Sequence, residues 1–286
     1  MLSLVEGGRG GVLRVPRVWL LLAVAVLLVG GIFVVPRILT KAPGPSPPPP
    51  PQGPAGRWMN VMDDEFSGTS LNRTFWQPNR FGKDGGDAPF NPDQEAAWFS
   101  PSNVTVADGK LTLTLRSEPR RLLNTDFPYS SGMVQSPPSA TFGPGSYVEA
   151  RIAVPRCDGC WPAFWLDPSR GSPPEIDGFE FFDTSENSQK LPSFTYHPPD
   201  GSDPSPSKYG QTDVDYRGDF HTYGILWTTD KIVPYLDGVA YPEVGATEDI
   251  AQGKLAIIMN LSVLADHQPA DGSTMQVDWV RVWSQP

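Results

Sequence analysis

The sequence predicts an all-β domain over residues 57–286, a sandwich in preference to a barrel. Three observations predict it: a hydrophobic period of two that recurs from residue 57 onward, Asp-Gly pairs set between alternating runs, and no helical period sustained over three turns. In "NVTVADGKLTLTLR", Val104 and Val106 precede an Asp108-Gly109 turn, after which Leu111, Leu113 and Leu115 alternate with Thr, the pattern of a hairpin. In "YVEARIAVP", Val148, Ala150, Ile152 and Val154 share one face while Tyr147, Glu149 and Arg151 share the other. Asp237-Gly238 marks a second hairpin between "VPYL" and "VAYP", and "MQVDWVRVW" closes the chain as a strand rich in Val and Trp.

The segment before the domain has a different character. After a short tail, residues 1–17, the run 18–36 is uncharged and long enough to cross a bilayer core of ~30 Å as a helix. Arg9, Arg14 and Arg17 precede it, whereas Arg37 and Lys41 follow and blunt the charge bias, which leaves a modest preference for the N-terminus inside and the domain outside. The nearest small-residue cleavage site, Thr40-Lys41-Ala42, runs straight into Pro43. A single-pass membrane anchor is therefore expected, with the β domain extracytoplasmic; secretion after signal-peptide cleavage is the alternative. Residues 37–56 form a Pro-rich linker. Within it, residues 42–56 read either as a polyproline spacer of roughly 45 Å at ~3.1 Å per residue or as a disordered connector.

With 286 residues, 39% of them apolar, the chain has enough material for a real core and is not disordered overall. A net charge of −10 excludes nucleic acid as a partner, because phosphates would be repelled, and suits a neutral one. The nine Trp, eight Tyr and fourteen Phe supply rings of the kind on which sugars stack, although any one ring is more often core.

The stretch "PPEIDGFEFFD" places Glu175, Asp177 and Glu180 among Ile176, Phe179, Phe181 and Phe182. Buried carboxylates are rare unless paired or used. In a regular strand Glu175 and Asp177 share a face and Glu180 falls on the other; a β-bulge seated at Gly178 would return Glu180 to the shared face. Four effective strand steps at ~3.3 Å then separate the outer Cα atoms by about 13 Å, from which two inclined Glu side chains can bring their carboxyls to the ~5–5.5 Å of a retaining glycosidase. A cation site, or acids facing solvent, are the competing readings of the same spacing.

The surrounding residues identify the pattern. "EIDGFE" resembles the bulged active-site strand Glu-x-Asp-x-x-Glu of glycoside hydrolase family 16, in its laminarinase-like form. The resemblance extends over nearly all of residues 58–284 through "DEFSGTSLNRTFW", "NVTVADGKLTLTLR", "GSYVEARIAVP", "WPAFWL", "DFHTYGILWTTDKIVPYLDG" and "VDWVRVW", all in the family's order. It implies a β-jelly roll of two antiparallel sheets acting on β-1,3 or β-1,3/1,4 glucan with retention of configuration. Glu175 would be the nucleophile, Asp177 its electrostatic partner and Glu180 the acid/base. Trp161, Trp165 and His197 match cleft positions, with Trp98 and Asn79 as further substrate-binding candidates; His221 is expected to be structural. No cofactor is required for catalysis. A structural calcium would involve Glu65, the Gly109 carbonyl and Asp278. The partners implied are a polysaccharide, β-glucan first, and a lipid bilayer through residues 18–36, with the protein a monomer. Gly178, Met133 and "NLSVLADHQ" depart from the family pattern, which leaves the trio intact and bears on which glycan the site prefers. Transglycosylation at the same site, or glucan binding without turnover, are the rival functions.

Cys157 and Cys160 in "PRCDGCWP" are the only cysteines. They precede a β-rich segment rather than opening a helix, as redox CxxC pairs do, and zinc would need further ligands; a disulfide closing a tight loop at the cleft edge is the expectation in an oxidising compartment. Asn72, Asn103 and Asn260 match the glycosylation sequon.

Overall fold

Strand pairing follows the period-two segments. The structure, a computed structural model, describes residues 47–80, 86–168, 172–182, 190–202, 206–244 and 252–286. In chain order the strands are β1 (Met59–Asp64), β2 (Ala97–Phe99), β3 (Val104–Ala107), β4 (Lys110–Thr114), β5 (Arg120–Leu122), β6 (Thr125–Phe127), β7 (Tyr129–Ser131), β8 (Met133–Gln135), β9 (Thr141–Phe142) and β10 (Ser146–Ala153). They continue as β11 (Cys160–Asp167), β12 (Glu175–Glu180), β13 (Ser193–His197), β14 (Ser207–Lys208), β15 (Phe220–Trp227), β16 (Ile232–Leu236), β17 (Val239–Ala240), β18 (Leu255–Val263) and β19 (Thr274–Ser284). One antiparallel sheet runs β17-β16-β15-β10-β19-β4-β3, with β1 also paired to β19. A second runs β14-β13-β12-β11-β18-β8, with β9 also paired to β18. The two face each other as a sandwich, the architecture of the expected jelly roll, and the one helical turn among the described residues is 3-10, Pro101–Asn103.

The predicted turns are present and explain the hairpin registers. Asp108 and Gly109 have φ +52° and +70°, and Asp237 and Gly238 have +49° and +79°, the paired positive values of a type I′ turn whose twist matches the flanking strands. Leu111, Leu113 and Leu115 then point inward without exposure, as do Val148, Ala150 and Ile152 of β10. From the other sheet Ile176, Phe179 and Phe181 meet them in the same core.

The outer face of β10 is not the solvated face that alternation alone predicts. Tyr147 and Glu149 are as buried as the core, covered by Tyr235, Trp283, Trp58 and the end of the Pro-rich segment. The Tyr147 hydroxyl donates to the Gln52 carbonyl at 3.0 Å and lies 3.2 Å from Glu149 Oε1. Gly53, at φ +108°, lies so close to the Tyr235 ring that an added Cβ would sit 2.6 Å from it. The compact unit accordingly runs Pro47–Pro286, ten residues ahead of the boundary expected at Arg57. Among the described residues no helix is long and apolar enough to cross a membrane, and the expected anchor, residues 18–36, lies outside them.

Candidate active site

Strand β12 resolves why acids alternate with aromatics. Its pairing with β11 puts Ala163 opposite Glu180, Phe164 opposite Phe179 and Trp165 opposite Asp177, so Gly178 is the extra residue of a bulge. The register with β13 shifts at the same place. Gly178 and Phe179 both face the core, which returns Glu180 to the face of Glu175 and Asp177. The core leaves no room for a side chain at 178: a Cβ there would lie 2.7 Å from Ile225 Cδ1 and 3.1 Å from Phe164 Cδ1. The Tyr209 hydroxyl donates to the Gly178 carbonyl at 2.6 Å and fixes the bulge from behind.

The acids line one depression together with Trp161, Ala163 and Trp165 of β11, Asn260 and Ser262 of β18, and Phe90, Asn91 and Glu95. Trp161 Nε1 donates to Glu180 Oε1 at 2.9 Å, and Trp165 Nε1 donates to Asn260 Oδ1 at 2.8 Å. His197, opposite Glu175 on β13, places Nε2 3.2 Å from Asp177 Oδ2 and 3.9 Å from Glu175 Oε1.

Electrostatics separates the roles the acids can take. Burial raises the Glu180 carboxyl to about 7, helped by the charges of Glu175 and Glu95 and opposed by the Trp161 hydrogen bond. Burial together with the charges of Glu180 and Glu175 holds Asp177 well above the usual carboxylate range, and its hydrogen bond to Glu175 acts in the same direction. Asp177 is thus drawn toward its neutral form by burial and the charges of its neighbours, while Glu180 can hold a proton near neutrality.

Sequence reasoning missed two further acids. Glu95 is 4% exposed; its Oε1 accepts from the Asn91 N–H at 2.6 Å and its Oε2 from the Ser262 hydroxyl. Asp167 is one step beyond the Leu166–Ile176 pair and therefore beside Glu175 on the same face, where burial and the Glu175 charge raise it to about 7. Glu95 closes the polar run Asp93-Gln94-Glu95 and Asp167 ends the apolar run of β11, so neither stands in a row of acids that would mark it as a site residue. Of the other candidates, Trp98 and Asn79 fall outside the lining of the depression. Trp98 Nε1 donates to the Glu118 carbonyl under the Arg120 guanidinium, and Asn79 Nδ2 donates to Asp87 Oδ1 at 2.8 Å. His221 bonds Asp237 at 2.8 Å, away from the depression.

Cys157 and Cys160 are joined by a disulfide immediately before Trp161. The loop they close carries Gly159, whose carbonyl accepts from the Leu264 N–H at 2.8 Å, so the bridge braces the end of β18 beside the depression. Asn103, buried and donating to Ser130 Oγ at 2.7 Å, and Asn260, committed to Trp165, are both internal and unsuited to carry a glycan. The strand registers bring Glu65, Gly109 and Asp278 to the same stretch of β19. Their carboxylates are a poor fit for calcium, however, because Arg281 Nε holds Glu65 at 2.8 Å and Arg151 Nη1 holds Asp278 at 2.6 Å, putting two guanidiniums where a cation's charge would be needed.

A two-sheet sandwich bearing a bulged row of three acids between aromatic walls defines a polysaccharide-cleaving class of enzyme. The chain belongs to glycosyl hydrolases family 16, whose model matches residues 90–281. It is 31% identical over 242 residues to the endo-1,3-1,4-beta-glycanase EglC of Rhizobium meliloti (strain 1021), covering 78% of this chain and 49% of that protein; the chain spans about half the length of this relative. Among solved structures it is similar to an endo-beta-1,3-glucanase from Pyrococcus furiosus, with 29% identity, a TM-score of 0.65, and coverage of 79% of this chain and 94% of the other. It is also similar to a mutant of SCLam, a non-specific endo-beta-1,3(4)-glucanase co-crystallized with 1,3-beta-D-cellotriosyl-glucose, with 25% identity, a TM-score of 0.67, and coverage of 82% and 98%.

Proposed function

We propose that the chain is a retaining endo-β-glucanase that cleaves β-1,3 or β-1,3/1,4 glucan. The observation that carries the reading is the bulge at Gly178, which sets Glu175, Asp177 and Glu180 on one face of a single rigid strand. Glu175 attacks the anomeric carbon as Glu180 protonates the departing glycosidic oxygen, leaving a glycosyl ester on Glu175. Glu180, now ionised, takes a proton from water; the hydroxide so formed displaces Glu175 from the sugar and regenerates both acids. Asp177, donating to Glu175, orients the nucleophile without adding charge. The indole of Trp161 fixes Glu180 and its half-buried ring offers a face for a glucose unit, while Trp165, packed against Phe90, backs the wall of the depression.

The test is product analysis of the full chain on laminarin, mixed-linkage glucan, agarose, carrageenan and xyloglucan. Oligosaccharides from the first two, released with the β-anomer in excess before mutarotation, are the expected result. The α-anomer appearing first would overturn the assignment of Glu175 as nucleophile. The run 18–36 supports, by its length and lack of charge, an anchor holding the domain outside a membrane. Alkaline extraction of membranes tests this, and a protein released to the soluble fraction would refute it.

A further inference from the structure

Glu175, Asp177 and His197 present one ligand atom each, and these atoms all lie within 4.8 Å of one another. We propose that this triad is a binding site for a divalent transition-metal ion, zinc in the first place, and that the ion acts as a reversible inhibitor. An acidic cluster alone would not carry this. The second observation is Asp177 Oδ2: the residue is 2% exposed, and this oxygen is inaccessible and makes no hydrogen bond, although His197 Nε2 is 3.2 Å away. A buried acceptor left without a donor is costly, and an ion set between these two atoms would satisfy both.

The distances suit zinc. Ligands held at ~2.0–2.2 Å in a tetrahedron are about 3.4 Å apart, close to the 3.2 Å of Asp177 Oδ2 to His197 Nε2 and somewhat under the 3.9 Å of Glu175 Oε1 to His197 Nε2. One imidazole with two carboxylates leaves a fourth position for water. Calcium, which takes six to eight oxygens, gains nothing from a ring nitrogen. Because the Glu175 carboxylate is also the group proposed to attack the sugar, an ion held there removes the nucleophile.

Zinc binding does not depend on the proposed function, whereas the inhibition does, and the experiment separates them. Equilibrium dialysis of the full chain against Zn²⁺ should show an ion whose affinity falls at least about tenfold in His197→Ala and in Glu175→Gln and is unchanged in His221→Ala. Zn²⁺ should also raise the melting temperature of the native chain but not of His197→Ala, which confirms at the same time that the variant is folded. Equal retention by native and His197→Ala protein, or no retention, would overturn the site. In glucan hydrolysis, Zn²⁺ should inhibit the native enzyme and EDTA should restore it. Retention without inhibition would overturn the role given to Glu175 and leave the site standing.

Discussion

Two glutamates on opposite sides of the sandwich, half-buried Glu180 on β12 and fully buried Glu149 on β10, are both raised to about 7, with desolvation as the leading cause in each. Their surroundings differ. Glu180 has acidic neighbours, an indole donor and a depression open to a ligand. Among the described residues Glu149 has no acidic neighbour; it is roofed by the chain's own Gln52, enclosed with Tyr147, and paired across the sheet with Arg281, whose charge favours its ionised form. A perturbed carboxyl thus marks burial in both places, and only the company of other acids and access from outside mark chemistry.

The largest expected effects divide the two sites by activity. Glu180→Gln should lower kcat on laminarin by about 10²–10⁴-fold, the usual worth of a positioned acid, and Glu175→Gln by at least as much. Glu149→Gln should leave kcat within a few-fold of native. Steady-state kinetics on the three variants checks the contrast, and a comparable loss in Glu149→Gln would erase it.

Stability should divide them in the opposite sense. Below about 4.5 Glu149 is protonated both folded and unfolded, and the fold loses nothing there; as pH rises from about 4.5 to about 7 the unfolded chain releases the proton that the native state keeps, so stability falls across that interval and the loss is complete above about 7. The Tyr147 hydroxyl, donating toward Glu149, and the Arg281 charge both favour the carboxylate and offset burial only in part. The interval from 4.5 to about 7 corresponds to at most about 3 kcal/mol. Glu149→Gln should therefore be more stable than native at pH 8, and much less so at pH 4.5, in denaturant titrations at the two pH values. An equal difference at both would show that the carboxyl is not the titrating group. On the other sheet, Gly178→Ala should cost about 1–3 kcal/mol, because its Cβ meets Ile225 and Phe164, and should disturb activity through the bulge. Unchanged melting with unchanged kcat would mean that the core yields there.

The same contrast explains what was legible in the sequence. Strands such as β4 and β10 declared themselves because their inward residues alternate, and Asp-Gly fixed their turns. The row on β12 was readable because three acids at fixed spacing make a testable pattern, and one glycine between them could seat the bulge. Glu95 and Asp167 were not, since neither belongs to a row of acids like that on β12, and what brings each to the site is tertiary pairing: Glu95 meets Ser262 from far along the chain, and Asp167 meets Glu175 only once β11 and β12 pair. The cover over Glu149 was hidden for a related reason. Pro-rich composition predicts an extended segment, and nothing local in it says that Gln52 and Gly53 will find a cradle between Tyr147 and Tyr235.

The smallest expected effect probes that long-range part of the site. Trp161 donates to Glu180 and so favours its ionised form, drawing the carboxyl down against burial and the charges of Glu175 and Glu95. Hydrolysis needs Glu180 protonated in its first step, so kcat/KM should fall as pH rises through about 7. In Trp161→Phe the donor is lost and the ring largely kept, so this basic limb should move to higher pH even as the maximal rate declines. Glu95→Gln removes a negative neighbour and should move the limb to lower pH. Opposite displacements in the two pH profiles would show that Glu180 carries the limb and that both neighbours act through it. A limb that stays in place in both variants would assign it to another group and break the parallel between Glu180 and Glu149.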